Sequence, residues 1–242
     1  MAISVAGSQA GNAYFVGTGT PQGVVVAGIG TLYVQTDGAA GTSLWVKEAG
    51  TGATGWTPVG TRSTERGADT LSAGATYRAN MDRMSADGNL AALTTQVMTS
   101  VAVPLQEGDV VTNITFLSAT TAAGTPTNWW FALYSTAATP ALLAQTADQT
   151  TTAWAANTTK ALALAAPYTV TVSGTYYASI MVKATTVPTL AGVAIHNAAG
   201  AGALVSGQSV LARTSGSALT DTAPATIATP TTVNTVPLVI IS

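Results

Sequence analysis

The sequence predicts an all-β protein: an N-terminal β-hairpin and meander module followed by an antiparallel, jelly-roll-like β-sandwich. Three observations carry this prediction. Where residues show a period it is two, since Leu32 and Val34 alternate with Tyr33 and Gln35, and Leu44 and Val46 with Trp45 and Lys47. From residue 97 onward, short apolar runs are separated by Gly, Pro and Asn, as in sandwiches and jelly rolls. No stretch holds a helical period long enough for a βαβ unit.

Residues 1–60 read as the hairpin module. Tyr14-Phe15-Val16 forms an opening arm and Val24-Val25-Val26 a strand. The hairpin then turns at Asp37-Gly38, where glycine supplies a positive φ, and Gly41 lets the chain enter the second strand. A Gly-punctuated return ends at Trp56. Residues 61–92 differ in composition and read as a mixed-charge connector. Arg62, Glu65, Arg66, Asp69, Arg78, Asp82, Arg83 and Asp87 lie there, with a short helical turn between 77 and 84 as one option for its structure.

Residues 93–242 read as the sandwich. Strands are expected at 97–105, ending at Pro104-Leu105, and at 110–118 beyond the turn Gln106-Glu107-Gly108-Asp109. An aromatic strand follows at 129–135, then strands at 141–146, 160–164, 175–182, 190–196 and 236–241. The Ala/Ser/Thr/Gly tract at 200–230 has little periodicity, and a neighbouring subunit is the expected source of its order.

Charged residues make up only 7% of the 242 residues, against roughly 25% in an ordinary globular domain. Hydrophobic residues reach 47%, much of it Ala and Val among Thr, Ser and Gly. So few charges protect a free monomer poorly against self-association, which points to life in an assembly. The net charge of −2, with no basic cluster, argues against nucleic-acid binding. The absence of cysteine excludes disulfides and thiolate metal sites. The N-terminus lacks a signal-peptide pattern, and apolar runs break before a membrane-spanning length, so no membrane insertion is expected.

The segment Gly30-TLYVQTDGAAGTSLWVKEAGTGATG-Trp56 resembles a module frequent in virion proteins of tailed bacteriophages, with the pattern G-x-L-Y-x-x-T-D-G-x-x-G-T-x-L-[YW]-V-K-E-x-G-T-G-x-T-G-W. The runs 130–135, 143–148, 164–170 and 174–180 are similar to a β-sandwich domain of phage minor tail and fibre-like proteins. The resemblance implies a non-enzymatic structural protein of the virion surface, made in the host cytoplasm. A homotrimeric head-decoration or head-fibre protein is the first expectation, with the N-terminal module attaching or trimerising. Its partners would be itself and the major capsid protein or another virion structural protein. The alternative is a minor tail or tail-fibre protein whose sandwich recognises a host-surface glycan.

No cofactor or metal is expected. His196, the one histidine, reads as a hydrogen-bonded strand residue, and no Gly-x-Ser-x-Gly elbow offers it a nucleophile. Glu107 and Asp109 could serve glycoside hydrolysis, but an exposed turn is the simpler reading. Asp37, Gly38 and Gly41 offer one carboxylate, thin support for Ca²⁺ against a plain turn. The aromatic residues are the sharper candidates. Trp129, Trp130, Tyr134 and Trp154 could stack on a sugar, fill the core or anchor a subunit contact. Adjacent strand residues point to opposite faces, so one of Trp129 and Trp130 must meet solvent, a partner or a loop. Arg62, Arg66, Arg78 and Arg83 could form a docking strap that pairs with carboxylates across a symmetry axis, or a solvated linker.

Overall fold

The computed structural model describes residues 4–9, 12–38, 43–59, 78–86 and 88–242. The protein is all-β and divides into two compact units, Met1–Thr64 and Glu65–Ser242. Among the described residues, no helix is long and apolar enough to cross a membrane.

The first unit is one sheet of five strands in sequential order: β1 (Ser4–Gln9), β2 (Asn12–Gly17), β3 (Leu32–Gln35), β4 (Leu44–Lys47) and β5 (Trp56–Pro58). The pairs are antiparallel except β2 with β3, which run parallel. A parallel pair needs a crossover, and residues 18–31 supply it without a helix. Val24-Val25-Val26, expected as a strand, lies within this crossover. Val25 and Ala27 instead drop inward onto Tyr33 and Trp56, forming the unit's small core. The β3–β4 hairpin has the expected period, with Tyr33 opposite Trp45. Its turn differs from expectation. The connection spans residues 36–43, and Gly38 does not take a positive φ. A long loop does not impose the left-handed residue that a two-residue turn requires. Asp37 instead accepts a hydrogen bond from the Gly19 amide at 2.7 Å, which holds its carboxyl below the usual carboxylate range. Gly41 lies outside the described residues.

The β4–β5 connection explains the Gly-rich return. Lys47 is fully buried, and its ammonium donates to the carbonyls of Gly52 and Thr54 while lying 5.7 Å from the Trp56 ring centroid. The loop is wrapped around a cation that its own carbonyls satisfy. Gly55 closes that loop at φ +92°, with Ala49 so near that a Cβ would strike its carbonyl oxygen. Gly55→Ala is therefore expected to destabilise the first unit by more than about 1 kcal/mol, since a clash adds to left-handed strain. A calorimetric transition unchanged from wild type would refute this.

The second unit contains β6 (Arg78–Ala79), β7 (Gly88–Asn89), β8 (Met98–Leu105), β9 (Val110–Leu117), β10 (Gly124–Tyr134), β11 (Leu142–Gln145), β12 (Thr159–Thr169), β13 (Gly174–Thr186), β14 (Ala191–Ala194), β15 (Ala212–Ser215), β16 (Thr231–Thr232), β17 (Thr235–Pro237) and β18 (Val239–Ile241). A 3-10 turn, Arg83–Ser85, sits where a short helical turn was one option, capped by the Asp82 carboxylate on the Met84 amide. A six-stranded sheet, ordered β11-β10-β13-β8-β15-β16, faces a four-stranded sheet, ordered β12-β9-β18-β6. The chain changes sheet from β8 to β9, β9 to β10, β11 to β12 and β12 to β13. Between the sheets lie Val101, Phe131, Leu133 and Ile180 from one side and Ile114, Phe116, Val239 and Ile241 from the other. A three-stranded sheet, β17-β14-β7, completes the unit.

Residues 78–86, 88 and 89 are part of this fold. β6 pairs with β18, and Asn80 clamps the junction of β17 and β18 by donating to the Pro237 carbonyl at 2.8 Å and accepting from the Val239 amide at 2.9 Å.

Burial separates the strands into two kinds. β12 alternates between exposed and inward positions over its first half. β10 from Trp129 to Tyr134 and β13 from Tyr176 to Val182 are buried on both faces. The second face of the six-stranded sheet carries its own core of Met98, Trp130, Ala132, Tyr134, Tyr177 and Met181, closed by Ala223 and Ile227 of the 200–230 tract. That tract was expected to be ordered by a neighbouring subunit. Within this chain, residues 219–227 of the tract are held on the sheet, where side chains hydrogen-bond the tract backbone as buried polar groups require. Gln96 donates to the Leu219 carbonyl at 3.1 Å, and Gln145 both donates to the Asp221 carbonyl at 2.8 Å and accepts from the Ala223 amide at 2.7 Å.

Candidate functional site

The four aromatic candidates are all interior. Trp129, Trp130, Tyr134 and Trp154 are each at most 1% exposed, which removes them as a sugar-stacking platform on this surface. Trp129 and Trp154 stack at 5.2 Å within the main core, donating to the carbonyls of Thr152 and Thr158. Asp148 braces the strand by accepting from the Trp129 amide and from the Asn128 side chain. Trp130 and Tyr134 occupy the opposite face, as period two demands, and there the covering loop takes their polar ends. Trp130 Nε1 donates to the Thr220 carbonyl at 2.7 Å, and the Tyr134 hydroxyl donates to the Pro224 carbonyl at 2.8 Å. Burial pushes the Tyr134 phenol well above its ordinary value. Both tryptophans are therefore core, one in each of two layers.

Of the four strap arginines, Arg78 and Arg83 lie among the described residues. Arg78 is bound within its own chain: its Nε and Nη2 donate to the two oxygens of Asp109, each at 2.9 Å. This bidentate pair is mostly buried, and Asp109 also accepts from the Gln106 amide at 2.9 Å. Its carboxylate pins the turn after β8 to β6, which answers the glycosidase reading of Asp109 with a structural role. Glu107 is exposed beside it. Arg83 is exposed in the 3-10 turn, and Arg62 and Arg66 lie outside the described residues.

His196 follows β14 in an exposed bend, so it is not the strand residue that was expected. The strand stops at Ala194, and the Asn197 carboxamide caps a short helix by accepting from the Gly200 amide at 2.9 Å. Among the described residues, no three His, Asp or Glu side chains come together to hold a metal. A shallow groove of about 550 Å³ is lined, among the described residues, by small and polar side chains that include Asn89, Ser118, Thr120 and Asn157.

The surface that sequence reasoning missed lies on the first unit. On the face opposite Tyr33 and Trp56, registered pairing aligns Tyr14, Leu32, Val46 and Thr57 across four strands. Val16, Val34 and Leu44 form a second row beside them, extended to Val59 through its amide bond to the Leu44 carbonyl. Tyr14, Leu32 and Val59 are 42%, 41% and 48% exposed. Neither row carries a charge. The signal was present in the sequence, because the apolar residues alternate with Tyr33 and Trp45, which are themselves apolar. Such a sheet has two apolar faces, and its own core covers one.

Comparison with models of known protein families gives no match for this chain, and no curated protein is similar to it. The site thus defines a class by geometry alone: an all-β protein whose small first sheet carries an apolar stripe that is partly exposed among the described residues.

Proposed function

We propose that this chain is a non-enzymatic structural protein of a bacteriophage virion surface, acting as a homotrimeric head-decoration or head-fibre protein. The apolar stripe of the first unit is the observation that carries this reading. Contiguous exposed apolar surface marks interaction sites, and a chain with 7% charged residues has little else to keep it apart from its own copies. The first unit then serves attachment or trimerisation, burying Tyr14, Leu32 and Val59 against other copies of the chain. The resemblance of residues 30–56 to the phage module supports the same assignment. Its Lys, Gly and Trp positions act here to fold the loop, which leaves the stripe as the part free to bind. The major capsid protein, or another virion structural protein, is the second partner in this reading.

Gold-labelled antibody on intact particles tests the placement. Label over the head is the expected result. Label confined to the tail would replace the head reading with a minor tail or tail-fibre protein, and unlabelled particles would remove the virion reading. Solution mass tests the stripe itself. Leu32→Glu, at an exposed position, is expected to convert a trimer into monomers, whereas an unchanged mass would move the contact elsewhere.

A further inference from the structure

We infer that residues 216–229 are a hinged flap that opens as one unit before the sandwich unfolds, baring an aromatic face and the edge of β11. The flap leaves β15 and returns to β16 at one edge of the six-stranded sheet, and it reaches β11 at the other. Residues 216–229 make no backbone hydrogen bond among themselves. Their backbone ties run to the sheet and its loops instead. The Leu219 amide donates to the Gln96 carbonyl, and Gln96 Nε2 donates to the Leu219 carbonyl, each at 3.1 Å. Trp130, Gln145 and Tyr134 donate to the carbonyls of Thr220, Asp221 and Pro224. At the far edge the Leu142 amide donates to the Ala225 carbonyl and the Ile227 amide to the Pro140 carbonyl, both at 2.9 Å, around an antiparallel bridge of Ala141 with Thr226.

Two features make this segment a moving part and not a fixed cover. The first is its burial. Ala223 and Ile227 are its buried side chains, with Leu219 half-buried. A long segment ordered on so few apolar contacts has low local stability, because the entropy of its backbone opposes closure at every residue. The second feature is strain at both ends. Gly216, Ala218 and Thr229 lie in the left-handed region, at φ +75°, +53° and +41°. That conformation strains Ala218, and the β-branched Thr229 still more. Both are exposed, so packing does not hold them there and the ties of the flap do. Such strain persists only where the surroundings impose it, and it collects at switch segments. Opening lets both ends relax to extended backbone. With no backbone bonds of its own, the flap has nothing to keep one part in place once the ends release. Opening bares Trp130 and Tyr134, whose polar ends now bind the flap. It also frees the Leu142 amide and the Pro140 carbonyl, and an unpaired strand edge is a template for another chain. The inference concerns the second unit alone and stands independently of the virion reading.

Native-state hydrogen exchange on the full-length protein tests this. The amides of Leu142, Leu219, Ala223 and Ile227 and the Trp130 indole N–H are expected to share one protection factor, at least about tenfold below that of the amides between β10 and β13. Ala141→Cys with Thr226→Cys places a disulfide across the bridge in a chain without cysteine. These partners are a non-hydrogen-bonded antiparallel pair, whose side chains lie close enough to join. The disulfide is expected to slow the whole group, including the distant Trp130 indole. Thr229→Asn alters an exposed position and supplies a residue that accepts the left-handed region, so it is expected to slow the group severalfold with the sandwich unchanged. Flap groups that exchange together with the β10–β13 amides in wild type overturn the inference. So does a Trp130 indole whose exchange ignores the disulfide, or a group whose exchange ignores Thr229→Asn.

Discussion

Trp130→Ala is expected to lower the unfolding free energy of the second unit by about 3–5 kcal/mol, the usual range for emptying a buried tryptophan site. Two losses add. The indole leaves a void between Met98, Met181 and the covering tract, and the Thr220 carbonyl loses its donor. Domains commonly hold only 5–15 kcal/mol in total, so the variant should melt many degrees lower and expose the 219–227 segment to protease before the rest. Denaturant midpoints of wild type and variant measure the effect. A tryptophan serving as a surface sugar platform would change stability by no more than about 0.5 kcal/mol, so an unchanged midpoint would return Trp130 to the surface.

Lys47→Met should lower the stability of the first unit by about 2–3 kcal/mol, the scale of a hydrogen bond made by a charged group. Methionine retains the stem against Trp56 while removing the ammonium that binds the Gly52 and Thr54 carbonyls. The competing term is the desolvation of a buried cation, which favours an apolar replacement. The carbonyls should win because without the ammonium the 48–55 loop has no centre to fold around. Calorimetry of the whole chain would show a first-unit transition shifted down, with the second-unit transition in place. A first-unit transition shifted upward would mean that desolvation dominates and that backbone bonds alone hold the loop.

Much of the sandwich is legible because its strands are short and punctuated. The expected strand at 110–118 appears as β9 from Val110 to Leu117, and that at 97–105 as β8 from Met98 to Leu105. Both are bounded by turn residues at the Gln106–Asp109 corner. β10 and β13 run further than expected, to Gly124 and Thr186, because pairing with each other continues through polar residues that have no apolar signal. The Val24–Val26 run failed as a strand for the opposite reason: β-branched content without a partner does not make a ladder. The candidate aromatics were recognised as a group, but a strand pattern states only that neighbours face apart. Whether the second face meets solvent, a partner or a loop depends on residues some 90 positions away, as with Trp130 and Thr220.

Local pattern, composition and spacing by themselves determined that this chain is all-β, that its first unit contains a hairpin, and that only 7% of its residues are charged. These properties depend on residues one or two positions apart, where period and turn chemistry act. Tertiary structure alone decided which groups are spent and which are left over. It placed both tryptophans in core layers, paired Arg78 with Asp109, enclosed Lys47 in its loop, and left Tyr14, Leu32 and Val59 exposed on one face of the first sheet. Burial and pairing are settled by segments distant in sequence meeting in space, and no local pattern encodes which of them will meet.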